Sequence, residues 1–307
     1  MTGYRELDVP VRGGLLHAGG WTSGEPGRVV LAIHGITSSH RAWPLVASRL
    51  TGAEPDLLVL APDLRGRGRS ADLPGPWGMA QHVDDLVALL TAVAPGRPAV
   101  LAGHSMGGFV AIAFAAAHPE LVESVVLVDG GVPLTLPDGW TMAEAARIGL
   151  GPAAERLERT FPDRPAYRDF WAEHPAFAGR FSDAVADYVD YDLRPDGPPW
   201  RSSSVAEAMF ADHAEQFTGG PVAAVWPSVT VPVRFLRAPR GLMDEPGGLY
   251  PEPVLEAWQR DYPGFSWRTV SDVNHYTITL GELGADAVGA AIAEQLPAAP
   301  AARTPAG

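Results

Sequence analysis

Short apolar runs alternate with longer amphipathic stretches along much of this chain. Residues 4–21 switch regularly between apolar and polar positions, which predicts an opening β-hairpin. The later runs are apolar at nearly every position, as is typical of strands buried on both faces. The predicted strands cover residues 28–33, 57–61, 98–102, 124–129, 231–237 and 266–271, and the predicted helices cover residues 42–50, 79–93, 108–117, 254–262 and 288–296.

This alternation of strands and helices predicts an α/β fold with a parallel sheet covered by helices on both faces. In such sheets, ligand sites gather at the carboxyl ends of the strands. Four polar side chains lie at or just past the ends of predicted strands, namely His34, Asp63, Ser105 and Asp129. We therefore expect the functional site at this edge of the sheet.

Residues 132–230 interrupt the alternation and are rich in helix formers and prolines. We interpret them as a helical cap on a core formed by residues 1–131 and 231–296, with a flexible tail at 297–307. The cap contains 13 of the 26 aromatic residues, and most of these are needed for its own small core. A few are expected to contact an apolar substrate. The candidates are Trp140, Phe170, Trp171, Tyr188 and Phe210.

A Gly-x-Ser-x-Gly pattern at residues 103–107 lies between a predicted strand and a predicted helix. Glycines at both flanks suit a turn that is too tight for side chains at those positions. The helix that follows directs unpaired N–H groups and its positive end toward the serine. This context predicts that Ser105 is a nucleophile.

A serine hydroxyl is a weak nucleophile at neutral pH and needs a histidine base that is oriented by a carboxylate. Among the nine histidines, His275 follows the last predicted strand and is therefore placed to reach the carboxyl edge of the sheet. For the carboxylate we favour Asp244, which gives the chain order Ser, acid, His. Asp129 and Glu245 remain alternatives.

Acyl transfer also needs N–H groups that hold the developing oxyanion. The N–H of Met106, next to the nucleophile, is one candidate. The second is expected from the loop after the first buried strand, where Ile36 follows His34 and Gly35.

Composition excludes several function classes. The 36 acidic and 23 basic side chains give a net charge of −13, which argues against binding to nucleic acid or to an anionic membrane. Cysteine is absent, and no HExxH, paired-histidine or phosphate-loop pattern occurs, so neither a metal nor another cofactor is expected. The first residues lack the apolar stretch of a signal peptide and no run approaches a membrane span, which favours a cytoplasmic location.

Taken together, these motifs resemble the α/β-hydrolase superfamily over residues 4–296. The resemblance rests on the His34–Gly35 pair, the PDLRGRGRS loop at 62–70, GHSMGG at 103–108 and the late histidine. It implies a mainly parallel eight-stranded sheet and a cap inserted after the sixth strand.

The same resemblance implies a triad of Ser105, Asp244 and His275, and a structural role for Asp63 and Arg65. Haloalkane dehalogenases and epoxide hydrolases of this family have aspartate at the nucleophile position, which Ser105 occupies here, so the serine argues against both. The residues after His34 do not match the HGGG loop of the hormone-sensitive-lipase branch.

The leading hypothesis is a carboxylesterase or lactonase that acts on a small, largely apolar substrate through an acyl-enzyme. A hydrolase that cleaves C–C bonds in vinylogous diketones is the main alternative, and a thioesterase, amidase or perhydrolase would use the same triad. A binding protein that kept the fold is disfavoured, because both Ser105 and His275 are present. The sequence leaves the oligomeric state open.

Overall fold

The computed structural model describes residues 3–136, 138–194 and 196–298, so most of the predicted tail, 299–307, lies outside the described residues. Its strands form one eight-stranded sheet. The strands are β1 (Gly3–Val11), β2 (Gly14–Thr22), β3 (Arg28–Ile33), β4 (Leu57–Pro62), β5 (Ala99–His104), β6 (Val122–Val128), β7 (Val233–Arg237) and β8 (Phe265–Thr269).

The sheet has the order β1-β2-β4-β3-β5-β6-β7-β8. The predicted hairpin is present as β1 and β2, and β2 also runs antiparallel to β4. All other neighbours are parallel, so the strands from β3 to β8 end at the same edge. This confirms the predicted α/β class with a mainly parallel sheet of eight strands.

Central strands are buried on both faces, as their continuous apolar sequences indicate. In β3, the side chains of Val29, Leu31 and Ile33 join one hydrophobic core, whereas Val30 and Ala32 join the other. Helices cover each face and exclude water from the sheet. The rigid sheet therefore fixes the positions from which the loops at its carboxyl edge begin.

We call residues 132–230 the inserted segment, and among its described residues the helices α4 to α9 lie between β6 and β7. No helix in the described part of the chain has the length and apolar character needed to cross a bilayer. The helices are α1 (Pro44–Ala53), α2 (Met79–Val93), α3 (Met106–Ala117), α4 (Met142–Gly149), α5 (Gly151–Glu158), α6 (Arg164–Ala172), α7 (Asp183–Asp192), α8 (Ala206–Ala214), α9 (Pro221–Val225), α10 (Glu252–Asp261), α11 (Thr277–Leu280) and α12 (Glu282–Ala293).

The inserted segment packs against both cores. Val222 and Trp226, at its C-terminal end, belong to the core that contains α2 and α3, and the Trp226 indole donates a hydrogen bond to the Gly131 carbonyl at 3.0 Å. Phe161 and Tyr167 belong to the core on the other face. Much of the aromatic content of this segment is therefore used for packing.

Candidate active site

Ser105 occupies the sharp turn between β5 and α3, with a φ of 53° and a ψ of −124°. A Cβ on Gly107 would lie 2.1 Å from the Ile33 carbonyl oxygen, and a Cβ on Gly103 would lie 2.3 Å from the Gly107 carbonyl oxygen. Both distances are far shorter than real contacts, so only glycine fits at either flank. Close backbone packing, rather than chance composition, accounts for the two glycines of the pattern.

The turn is fixed to the neighbouring strand. The Ser105 N–H donates a hydrogen bond to the Val128 carbonyl at the end of β6, at 3.0 Å. A positive φ at a residue with a Cβ costs of order 1–2 kcal/mol, and it persists only where the surroundings impose it. The sheet therefore holds the serine in a conformation that it would not adopt alone.

His275 lies in the loop after β8, is 3% exposed, and has its Nδ1 2.7 Å from Oδ2 of Asp129. Asp129 follows β6 directly, is fully buried, and its Oδ1 accepts a hydrogen bond from the Ala238 N–H at 3.0 Å. Because a carboxylate can only accept, Nδ1 of His275 donates and its Nε2 is left as the proton acceptor. The pair has the orientation of a base and its carboxylate.

Asp244, the carboxylate favoured by chain order, is placed elsewhere. Its Oδ1 lies 3.0 Å from Nδ2 of Asn274, 2.9 Å from Nε of Arg240 and 3.3 Å from an Nη of Arg180. The structure thus corrects the expectation: it is Asp129, not Asp244, that contacts the imidazole. Asp244 follows β7 at an exposed turn and anchors the residue before His275 instead.

Glu245, the third candidate, is exposed, and one of its carboxylate oxygens accepts the Met243 N–H at 2.8 Å. Chain order could not separate the three acids, because Asp129, Asp244 and Glu245 all lie between Ser105 and His275. Only the three-dimensional arrangement of the loops distinguishes them.

The loop that carries Ile36 abuts the nucleophile. A Cβ on Gly35 would lie 3.1 Å from Cβ of Ser105 and 3.5 Å from its Oγ. Met106 begins α3, so its N–H is one of the four that a helix leaves without an internal partner. Both predicted oxyanion donors therefore belong to backbone segments next to Ser105.

Arg67 connects these two segments, and sequence reasoning missed it. Its buried guanidinium donates to the Ile36 carbonyl from Nε at 2.8 Å and approaches Sδ of Met106 from Nη2 at 3.8 Å. It also pairs with Asp212 of the inserted segment at 2.5 Å. The only sequence signal was its place in the 62–70 loop, whose structural role had been assigned to Asp63 and Arg65.

Asp63 and Arg65 are both fully buried and well bonded. Asp63 accepts the backbone N–H of His40 at 2.8 Å and the hydroxyl of Tyr191 at 2.7 Å. Arg65 forms a two-nitrogen pair with Asp85, at 2.9 and 2.7 Å. These contacts hold the 62–70 loop and thereby the position of Arg67.

Two further histidines near the site are neutral at physiological pH. Burial lowers the pKa of His34 to about 3, and its Nε2 accepts the Leu64 N–H at 2.9 Å. Burial, with a further contribution from His275, lowers the pKa of His104 to about 3 as well. Nε2 of His104 donates to the His275 carbonyl at 2.8 Å, so this ring supports the histidine loop.

Ser105 and His275 line the same small cavity of about 50 Å³, together with Gly35, Ile36 and Tyr188. A larger cavity of about 540 Å³ adjoins it. The two share five lining residues, which are Thr37, Leu150, Ala153, Leu242 and Tyr276.

The five aromatic residues proposed for substrate contact have different positions. Tyr188 lines the small cavity, and Phe170 and Trp171 line the larger one. Trp140 is 40% exposed and Phe210 is half-buried, and neither is among the described residues that line the two cavities. Aromatic composition alone could not indicate which side chains face inward.

One cluster of potential metal ligands lies away from this site. Ligand atoms of Glu6, His17 and His40 are within 4.8 Å of one another. However, the guanidinium groups of Arg41 and Arg69 already pair with Glu6. These two positive charges oppose a bound cation there.

Comparison with known proteins identifies the family of this chain. The sequence model of the alpha/beta hydrolase family matches residues 29–288. Lipase LipV of Mycobacterium tuberculosis is 39% identical over 150 residues, which are 47% of this chain and 54% of that protein. The 2-(acetamidomethylene)succinate hydrolase of Mesorhizobium japonicum is 34% identical over 163 residues, which are 53% and 52% of the two chains.

This chain thus spans about half the length of these two curated relatives. A solved thioesterase domain from the curacin biosynthetic pathway superposes with a TM-score of 0.74 at 21% identity, covering 95% of this chain and 99% of that one. At this identity the likeness shows the fold. The family match covers most of the sequence, and the chain belongs to the alpha/beta hydrolase family.

Proposed function

We propose that this protein is a serine hydrolase that cleaves a carboxylic ester or lactone through an acyl-enzyme. The observation that carries the proposal is the 2.7 Å hydrogen bond from His275 to buried Asp129, at a cavity that Ser105 also lines. A base held in one tautomer beside a strained serine is the arrangement required for nucleophilic catalysis.

In the proposed mechanism, Oγ of Ser105 attacks the acyl carbon while Nε2 of His275 accepts the hydroxyl proton. Asp129 stabilises the imidazolium that forms and remains ionised. The N–H groups of Ile36 and Met106 stabilise the oxyanion. His275 then protonates the leaving oxygen, and it next removes a proton from the water that hydrolyses the acyl-enzyme.

The inserted segment acts as the cap in this proposal. Its residues Leu150, Ala153 and Tyr188 line the small cavity together with Ser105 and His275. Leu150, Phe170 and Trp171 supply apolar walls to the larger cavity, which suits an apolar acyl chain. The expected partner is a small molecule.

The same three residues would also cleave amides, thioesters or the C–C bond of a vinylogous diketone. One similar protein is named a 2-(acetamidomethylene)succinate hydrolase, and a thioesterase domain shares the fold, so an amide and a thioester belong among the substrates to be compared. LipV, a lipase by name, favours the ester.

The test is a substrate panel that compares ester, lactone, thioester and amide of one acyl group, together with a chromophoric ring-fission diketone. We expect the ester or lactone to have the highest kcat/KM and Ser105→Ala to abolish turnover. Labelling of wild type by a fluorophosphonate probe reports the nucleophile independently of substrate. Equal rates for wild type and Ser105→Ala, or no labelling, would refute the proposal. A higher kcat/KM for the amide or the diketone than for the ester and lactone would show that the protein cleaves that bond instead.

A further inference from the structure

Arg156, on α5 of the inserted segment, is a buried cation in the wall of the larger cavity. Its side chain is 5% exposed, and its guanidinium carbon lies 5.1 Å from the ring centre of Trp171. Nη1 donates to Asp192 at 2.7 Å and to the hydroxyl of Tyr167 at 2.8 Å. Nη2 is buried without a hydrogen-bond partner among the residues that the structure describes.

A buried N–H of a charged group is costly when it has no acceptor, so an unpartnered N–H on a residue that lines the cavity points to an acceptor supplied by a ligand. Asp192 does not satisfy it, because this carboxylate is engaged on both oxygens. The hydroxyl of Tyr167 donates to Oδ2, and those of Ser202 and Ser203 donate to Oδ1 at 2.9 and 3.2 Å. These three hydroxyls occupy acceptor positions of Asp192, and Nη2 of Arg156 keeps its N–H groups for a second acceptor.

The position of Arg156 relates it to the nucleophile. Ala153 lies three residues earlier on α5 and therefore on the same helix face. Ala153 lines both cavities, whereas Arg156 lines only the larger one and Ser105 only the smaller one. A substrate that extends from Ser105 past Ala153 would thus place its far end near Arg156.

We propose that Arg156 binds a carboxylate at the far end of the acyl group, so that the substrate is an ester or lactone of an acid bearing a second carboxylate. This rests on the proposed function and specifies the substrate of the same site. Guanidinium is suited to carboxylates because its planar N–H groups match their geometry. The apolar walls contributed by Leu150 and Phe170 suit the methylene chain between the two ends.

The lining of the larger cavity includes other charged residues. Glu155, Glu173, Glu245 and Arg159 line it but are exposed to solvent. Water and salt screen such charges, so they influence a bound carboxylate less than a buried guanidinium does. Selectivity for the carboxylate is therefore assigned to Arg156.

The experiment compares monoethyl succinate, adipate and suberate with the ethyl esters of the matching ω-carboxamides, which have the same shape without the charge. Wild type is expected to favour the carboxylate over the carboxamide at one chain length by about tenfold to a hundredfold in kcat/KM. Arg156→Lys keeps a positive charge that can pair with Asp192 but loses the planar set of N–H groups that binds a carboxylate. The ratio of kcat/KM for the carboxylate ester to kcat/KM for the carboxamide ester should therefore fall toward one. The change should appear mainly in KM, because binding is affected rather than chemistry.

Arg168→Lys is the matched control, since Arg168 lies on exposed α6 surface and pairs with Asp190 at 2.7 Å. Its ratio should equal that of wild type. Arg156→Gln combined with Asp192→Asn removes both buried charges and provides a second variant if the lysine protein is unstable. Fluorophosphonate labelling of Ser105 verifies that each protein is folded.

A wild-type ratio near one at every chain length, with both esters hydrolysed, overturns this inference and leaves the proposed function intact. A high ratio that survives in Arg156→Lys or in the double variant assigns the carboxylate to another residue and also overturns it. Failure of wild type to hydrolyse any of these esters overturns this inference, and fluorophosphonate labelling of Ser105 then shows separately whether the proposed function also fails.

Discussion

Nδ1 of His275 lies 2.7 Å from Oδ2 of Asp129, although 146 residues separate the two along the chain. Asp129 also has a φ of 49°, a left-handed conformation that aspartate tolerates better than most residues. The carboxylate is directed by this turn and fixed by the Ala238 N–H. The acid of the proposed triad thus begins at the strand next to that of the nucleophile.

Replacing Asp129 by Asn should lower kcat by about 10⁴-fold, the size of the effect in serine proteases, because the amide stabilises the wrong imidazole tautomer. Asp244→Asn changes a residue that contacts Asn274 but is not bonded to the imidazole. It should lower kcat less than about tenfold. Steady-state kinetics on one ester distinguish the two carboxylates. A larger loss of kcat in Asp244→Asn than in Asp129→Asn would assign the role to Asp244.

Arg67→Lys should lower kcat by roughly tenfold to a hundredfold, because lysine cannot bond to Ile36 and Asp212 with a planar fork. KM should change little, since Arg67 positions oxyanion donors rather than substrate. The measurement is kcat and KM together with the melting temperature. A rise in KM at unchanged kcat, or a kcat loss matched by partial unfolding, would contradict this role.

Ser105→Gly should be more stable toward unfolding than Ser105→Ala by about 1 kcal/mol, because glycine relieves the strain of a positive φ. Both variants lack the nucleophile, so the comparison isolates the backbone. Urea denaturation with equal m-values measures the difference in free energy of unfolding. Equal stability of the two variants would show that the turn is not strained.

Stability should fall as the pH drops from about 6.5 toward 4, because His34 and His104 must stay neutral in the fold. Their folded pKa values of about 3 lie below the ordinary value of 6.5, so the unfolded chain binds more protons in this range. The stabilisation is complete above pH 6.5 and is lost toward pH 3. Each histidine accounts for about 2 kcal/mol at pH 5.

The charged or titratable groups that act on His34 are Asp63, Arg67 and His82, and those that act on His104 are His275 and His34. His104→Gln removes one titrating group and should make the pH dependence of the unfolding free energy shallower. His118→Gln, at a partly exposed position, is the control and should retain the wild-type slope. Identical slopes for all three proteins would refute the assignment.

Much of the fold followed from local patterns in the sequence. A run such as residues 28–33 is apolar throughout because both faces of its strand are covered. Burial on both faces requires an apolar residue at each successive position, so the sequence alone indicates such a strand. The need for glycine on both sides of Ser105 is also visible in the sequence, because the turn that requires it spans only five residues. Ser105 and His275 could therefore be proposed from their positions after predicted strands.

Long-range geometry decided the rest. Asp129 and Asp244 satisfy the same chain order, and only the packing of the loops after β6 and β7 brings one of them to the imidazole. Arg67 and Arg156 act through partners far along the sequence, at Asp212 and Asp192, which no periodicity reveals. The sequence by itself determined the strands and the glycine-flanked turn, and it placed Ser105 and His275 after strands, because these features depend on neighbouring residues. The acid, the support of the oxyanion loop and the chemistry of the cavity depend on contacts between distant segments, which exist only once the chain has folded.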